Sequence, residues 1–178
     1  MQTEFPLEEA IEGLKKALRL HPGNAEAHCK LAIALAEQGN LDAAITSYQT
    51  AIDIEPRHIP ALTNLASIYR TLGRSEEALR IFERVIELDP KDVSAYVNLG
   101  SLHKEKGDGR ASEVNYRQAI SLTPAGYDAY FNLANALRYE GDLNIAIECY
   151  ERAIGIETKF PVVYYYLGNA QKLSLIHI

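Results

Sequence analysis

The sequence predicts an all-α chain of helix pairs repeated in tandem, and three periodicities carry that prediction. Pro22, Pro56, Pro90 and Pro124 stand at one interval of 34 residues, and Gly39, Gly73, Gly107 and Gly141 keep the same interval. Leu31, Leu65, Leu99, Leu133 and Leu167 keep it too, each followed by a small residue: Ala32, Ala66, Gly100, Ala134 and Gly168. Self-similarity at a fixed period of this size marks a stacked array, because one unit alone cannot bury its apolar face.

Within each unit the apolar spacing resolves two helices. The first reads His28, Leu31, Ala32, Leu35 and then Leu62, Leu65, Ala66, Tyr69, the i, i+3, i+4, i+7 pattern of a helix with one buried face. The second reads Ala44, Tyr48, Ala51, Ile52 and then Ala78, Phe82, Val85, Ile86. The recurrent Gly between them can adopt the left-handed conformation that ends a helix, and the recurrent Pro closes the unit by removing a donor and restricting the residue before it.

Taken in order, residues 7–24 hold the second helix of a partial repeat, about residues 7–20, and full repeats follow at 25–58, 59–92, 93–126 and 127–160. The first helix of a fifth repeat occupies 161–172, giving one array over 7–172. The third repeat departs from its neighbours: Glu113 replaces the Ile45, Leu79 and Ile147 of the others, and Gly109 and Ser112 fall early in its second helix, which is therefore expected to be the weakest. The fourth has Thr158 where its neighbours close with Pro, and Pro161 restarts the next helix. Residues 173–178 fit no repeat position, Leu175 standing where Gly is expected. They look like translated adapter sequence, so that tail is expected to be non-native and the chain a fragment.

The run of large residue, Leu and small residue, then aromatic or Leu, Gly, Ala, aromatic, Ala and Pro through the repeats resembles the tetratricopeptide repeat family over nearly the whole chain. The resemblance implies a right-handed α-solenoid of antiparallel helix pairs whose first helices line a concave groove.

The composition agrees with a folded chain: 18 basic against 24 acidic residues, a net charge of −6 and 47% hydrophobic residues exclude a disordered polymer. Net acidity without a block of Lys and Arg argues against nucleic acid as the main ligand. No run of roughly twenty residues escapes charge, so no membrane span is expected. The acidic start lacks the basic and apolar regions of a secretory signal, and a cytoplasmic setting is the expectation. Cys29 and Cys149 lie more than three repeats apart and cannot pair; Cys149 is expected to be a packing residue and Cys29 half exposed.

No catalytic constellation is legible. His21, His28, His58 and His103 form no metal-ligand spacing among themselves or with Cys, and His28 and His103 occupy repeat positions that predict packed or rim side chains. The glycines serve turns rather than a phosphate loop, and Glu8-Glu9 and Glu76-Glu77 read as solvated helix starts that favour the positive end of the dipole. The chain is expected to be no enzyme and to need no cofactor or metal.

The candidate site is the inner face of the first helices. Asn64, Asn98 and Asn132 recur at one position, with Lys30 and Tyr166 in the outer equivalents; three residues on come Ser67, Ser101, Asn135 and Asn169; three further on come Arg70, Lys104, Arg138 and Lys172. Steps of three stay on roughly one side of a helix. An amide offers donor and acceptor together, which suits the backbone of an extended peptide, although the same Asn could simply solvate the face or bond the next helix. This ladder resembles the one in the repeat domain of O-GlcNAc transferase. The basic set fits an acidic ligand and equally fits favourable charge near helix C-termini. The Lys and Arg of the chaperone-tail clamp have no counterparts among Cys29, Ile33, Asn64, Ser94 and Asn98, nor one repeat on among Thr63, Ser67, Asn98, Asp128 and Asn132, which argues against carboxylate tails of heat-shock chaperones.

The function expected is therefore an interaction scaffold that binds an extended segment of a partner protein, with an acidic segment as the option the basic set leaves open. The alternatives are the substrate-recruiting fragment of a larger enzyme resembling O-GlcNAc transferase, or an adaptor that assembles through its ends, where Tyr164, Tyr165 and Tyr166 cluster.

Overall fold

The computed structural model describes residues 4–159 and 161–176. Its elements are α1 (Glu4–Leu20), α2 (Ala25–Glu37), α3 (Leu41–Ile54), α4 (Ile59–Thr71), α5 (Ser75–Leu88), α6 (Val93–Glu105), α7 (Gly109–Leu122), α8 (Tyr127–Glu140), α9 (Leu143–Ile156) and α10 (Pro161–Ile176). The fold is all-α, an α-solenoid of helix pairs, with no strand among the described residues. Two compact units divide it: Met1–Leu88, holding α1 to α5, and Asp89–Ile178, holding α6 to α10.

In the first unit each helix packs on the next, and the first helices α2 and α4 also touch. In the second unit the same holds, with α8 touching both α6 and α10. The turns inside the pairs follow one design. Gly39, Gly73, Gly107 and Gly141 have φ between 73° and 93°, and the amide after each reaches back to the fifth residue before it, as in Asn40 N–H to Leu35 O at 2.9 Å. This closes the carbonyls a helix end leaves open, and a side chain at those glycines would be strained. Asn24, Asn40, His58, Asp92 and Asp108 accept the i+3 amide at the starts of α2, α3, α4, α6 and α7.

The core lies where second helices press on first helices. Tyr48, Phe82, Tyr116 and Tyr150 are at most 2% exposed, as are the paired small residues Ala32, Ala66 and Ala134. In the third repeat the small residue is Gly100, and a Cβ there would come within 2.7–2.9 Å of the Tyr116 ring. The hydroxyl explains the closeness. Tyr116 Oη lies 3.0 Å from Ser101 Oγ, whereas in the fourth repeat Tyr150 donates to Asn135 Oδ1 at 2.8 Å. Serine is the shorter partner, so the Tyr116 ring must come closer to reach it, and glycine makes the room. The combinations Gly100 with Ser101 and Ala134 with Asn135 are two solutions to one packing problem.

One expectation is corrected here. Cys29 is buried, not half exposed, and burial pushes its thiol pKa up. Cys149 is likewise buried with its pKa raised by burial. The helix α1 begins at Glu4, and α10 runs through Lys172 to Ile176, where Ser174 reaches Asn144 at 3.3 Å.

In α7, Glu113 is only partly covered and pairs with Arg117 one turn on at 2.6 Å, which compensates its charge. Ser112 has no such relief. It occupies the fully buried position of Ala44, Ala78 and Ala146, and its Oγ has no hydrogen-bond partner among the described residues. Ser112→Ala should therefore raise unfolding free energy by about 1 kcal/mol, because an unsatisfied buried hydroxyl is removed without loss of shape; a loss of stability in denaturant titration would refute the unsatisfied hydroxyl. Gly100→Ala should destabilise by about 1–3 kcal/mol through overpacking. Adding Ser101→Asn should recover much of that loss, and strictly additive effects of the two changes in a double-mutant cycle would refute the coupling.

Candidate functional site: the polar face of the first helices

The positions of the ladder share a register, but their side chains do different work. In the first unit, Lys30 pairs with Glu26 at 3.2 Å, and Glu26 also meets His58 Nε2 at 3.2 Å. The Lys30 ammonium, then the imidazole, hold the Glu26 carboxyl below its ordinary range. His58 was not legible as part of any network. It is buried at the start of α4, where Nδ1 accepts the Ala61 amide, so Nε2 carries the proton that faces Glu26. One ring thus caps a helix and ties it to the preceding first helix. Ser67 is exposed and donates to Thr63 O at 2.9 Å, while Arg70 is half-buried.

Asn64, half-buried, hydrogen-bonds the Tyr48 hydroxyl from the neighbouring second helix. Burial dominates that phenol, with further upward push from Cys29 and Glu37, and its pKa rises to about 12 against the small opposing effect of Asn64.

In the second unit the polar side chains mostly turn back to the protein. Asn98 donates to Ser94 O at 2.8 Å, and Ser101 donates to Val97 O at 3.0 Å besides meeting Tyr116. Asn135 is buried and accepts the Tyr150 hydroxyl, so it is turned inward where the sequence pattern alone places it on the ligand face. Asn132 and Asn169 are half-buried, and Lys172 is exposed.

Lys104 and Arg138 behave otherwise. They stand on α6 and α8, which touch, and both are half-buried. Burial first, and then the charge of Arg138, pull the Lys104 pKa below its ordinary value, with Glu105 opposing weakly. No ion pair to a described carboxylate neutralises either cation, and Arg138 Nε is buried without a hydrogen-bond partner among the described residues. The guanidinium instead rests on aromatics: its carbon lies 5.4 Å from the Tyr166 ring centre and 6.0 Å from that of Tyr139, and it hydrogen-bonds the Tyr150 hydroxyl. Tyr166 stacks on Tyr150 at 6.3 Å and meets Phe131 at 5.9 Å. Sequence reasoning missed this aromatic shelf. Its signal lies in Tyr166 at the Asn position and in Phe131 one residue before Asn132.

Among the described residues no group of His, Cys, Asp or Glu could hold a metal ion, and no helix is long and apolar enough to cross a membrane. Family comparison matches this chain to a family described as Tetratricopeptide repeat at residues 35–102, to others of that description at 93–125 and 127–159, and to one described as TPR repeat at 7–39. The chain is built of tetratricopeptide repeats. No curated protein sequence matches it significantly. Among solved structures, MamA is 25% identical over 89% of this chain and 92% of its own, with a TM-score of 0.80. The pilF protein of Pseudomonas aeruginosa is 20% identical over 94% and 77%, with a TM-score of 0.83. YrrB, described as a TPR protein with an unusual peptide-binding site, is 18% identical over 92% and 84%, with a TM-score of 0.76. These last two show the fold alone. Tetratricopeptide arrays are in general non-catalytic scaffolds, and protein interaction is the coarse function of this chain.

The Tyr48 shift has a stability consequence with a definite sign. Because the folded-state pKa lies above that of an exposed tyrosine, near 10, the protein holds that proton more tightly than the unfolded chain does. Stability is fully present below pH about 10 and should fall by about 2–3 kcal/mol as pH rises toward 12. Tyr48→Phe, which places at this position the residue found at Phe82, should flatten that part of the profile. An unchanged alkaline slope in denaturation experiments would show that Tyr48 does not set it.

Proposed function

We propose that this chain binds an extended acidic segment of a partner protein along the first helices of its second unit, with Lys104 and Arg138 as the charge-reading pair. One observation carries the reading: two half-buried cations on touching helices, neither neutralised by a described carboxylate, one with its ammonium form disfavoured by burial first and then by the charge of the other. Such a pair is electrostatically incomplete. A carboxylate between them would relieve the repulsion, satisfy donors and restore the Lys104 proton affinity.

Asn132, beside the Arg138 shelf on α8, supplies an amide for the backbone of the bound segment, and Asn169 on α10 can continue the contact. Lys172 adds exposed charge at the rim. In the first unit Asn64, Ser67 and Arg70 occupy the equivalent positions, while Lys30 is already paired with Glu26 and contributes least. YrrB, described as having an unusual peptide-binding site, supports the class of ligand without naming it.

Binding should be read by fluorescence anisotropy with a Glu-rich and a Lys-rich peptide of equal length. Lys104→Glu with Arg138→Glu should weaken the acidic peptide by at least about tenfold, the sum of contributions of about 0.2–1 kcal/mol per cation and the new repulsion. Asn132→Ala should cost about 1 kcal/mol for one lost hydrogen bond. The affinity should fall as salt shortens the Debye length from about 10 Å at 0.1 M to 3 Å at 1 M. It should also fall as pH rises through the lowered pKa of Lys104, since the free protein releases that proton more readily than the complex. Equal binding of the two peptides at low salt would refute the charge reading.

A further inference from the structure

The Pro that precedes each repeat offers its carbonyl to that repeat's helices, and three repeats place a donor of their own on it. His28 Nε2 donates to Pro22 O at 2.9 Å, Arg84 Nη2 to Pro56 O at 2.6 Å, and Tyr96 Oη to Pro90 O at 3.5 Å. In the fourth repeat no described residue donates to Pro124 O. A pocket of about 530 Å³ opens there, lined by Pro124, by Tyr130 of α8 and by Glu148, Glu151, Arg152 and Gly155 of α9. Arg152 stands at the repeat position of Arg84, 28 residues after its Pro, but does not make the bond.

Following helices do not cover this face. Glu148, Glu151 and Gly155 lie at the positions of Thr46, Gln49 and Asp53 in the first repeat and of Val114, Arg117 and Ser121 in the third, and all six are exposed although further helices of the same unit follow each of them. What sets the fourth repeat apart is composition. Glu148 and Glu151, three apart on one side of α9, stand where the other repeats have Thr46 and Gln49, Arg80 and Glu83, and Val114 and Arg117. Gly155 replaces Asp53, Glu87 and Ser121, and a Cβ there would meet nothing within 4 Å. Both carboxylates are exposed, and neither forms an ion pair among the described residues. Two carboxylates against the one guanidinium of Arg152 leave the pocket negative.

We propose that this pocket receives an arginine side chain carried by a partner protein, its guanidinium taking the place on Pro124 O that Arg84 takes on Pro56 O. The same contact is thus already made once within the molecule. A guanidinium presents its N–H donors in one plane, so it can donate to the carbonyl and to Glu148 or Glu151 together. The aromatic wall at Tyr130 suits its flat, weakly hydrated face. A lysine ammonium meets the same charges as a compact, strongly hydrated point and is the weaker occupant. Arg152 is the internal competitor, since it lies beside both carboxylates and its removal makes the pocket more negative. The inference does not rest on the Lys104 and Arg138 reading, which concerns other residues and a ligand of opposite charge.

The test maps amide chemical shifts of the whole chain during titration with short capped glycine-serine peptides that carry one central arginine, lysine or citrulline. The arginine peptide should move the amides of Glu148, Glu151, Arg152 and Gly155 saturably, and the lysine peptide should bind the same place more weakly. Citrulline, nearly the same shape without the charge, should bind more weakly by about two- to thirtyfold, and Glu148→Gln combined with Glu151→Gln should weaken the arginine peptide by a similar factor. Gly155→Phe should abolish binding by filling the pocket, whereas Arg152→Gln should bind as tightly as the unaltered chain or more so. All these positions are exposed, so the amide spectrum away from the pocket should be retained in each variant and reports that the fold is intact. Four results would each overturn the proposal: arginine-peptide shifts that miss these residues, equal binding of the citrulline peptide, unchanged affinity of the double Gln variant, or loss of binding in Arg152→Gln.

Discussion

The constraint on which the rest depends is the seating of one large side chain from each second helix on a small residue of its first helix. Tyr48, Phe82, Tyr116 and Tyr150 are each large and each almost fully buried, so each contributes a large apolar contact within its pair. Their seat must be small, because interiors are packed too densely to absorb an extra methyl where a ring already lies. The 34-residue period follows from this need, since each pair must present the seat, the ring and the turn in the same register to stack on the next.

A buried tyrosine brings a hydroxyl that must find a partner, and this second constraint reaches into the candidate site. Tyr48 uses Asn64 from the following repeat, Tyr116 uses Ser101, and Tyr150 uses Asn135 and Arg138. The polar residues that recur on the first helices therefore belong in part to the core. Phe82 needs no partner, and Ser67, at the position of Ser101 one repeat earlier, turns instead to its own helix backbone at Thr63. At the position of Ser67, Ser101 and Asn135, the identity of the residue fifteen positions later decides whether a ring hydroxyl is there to be bonded.

This is why the fold was more legible in the sequence than the site. A period of Gly, Pro and Leu reports backbone and core requirements that every repeat shares, and the helices start where those markers place them, at Ala25, Ile59, Val93 and Tyr127. The inward turn of Asn135, the burial of Cys29 and the double role of His58 depend on contacts between elements, which a position in a register does not record. The aromatic shelf beneath Arg138 had a visible signal in Tyr166 and Phe131, but their convergence is a property of α8, α9 and α10 together.

The division of labour between amides and charges follows from the same contacts. An amide or hydroxyl close to a buried phenol can lower the free energy of the fold by bonding it, so Asn64, Ser101 and Asn135 are drawn into structure. The charges of Lys104 and Arg138 cannot be absorbed so cheaply, because no described carboxylate forms an ion pair with either. Arg138 reaches a compromise by laying its guanidinium on Tyr166 while one nitrogen bonds Tyr150, and Lys104 is left with its charge disfavoured. The positions the core cannot satisfy are the ones the proposed ligand would meet. In the second unit those are Lys104 and Arg138, whose charges the structure partly covers but leaves unneutralised among the described residues.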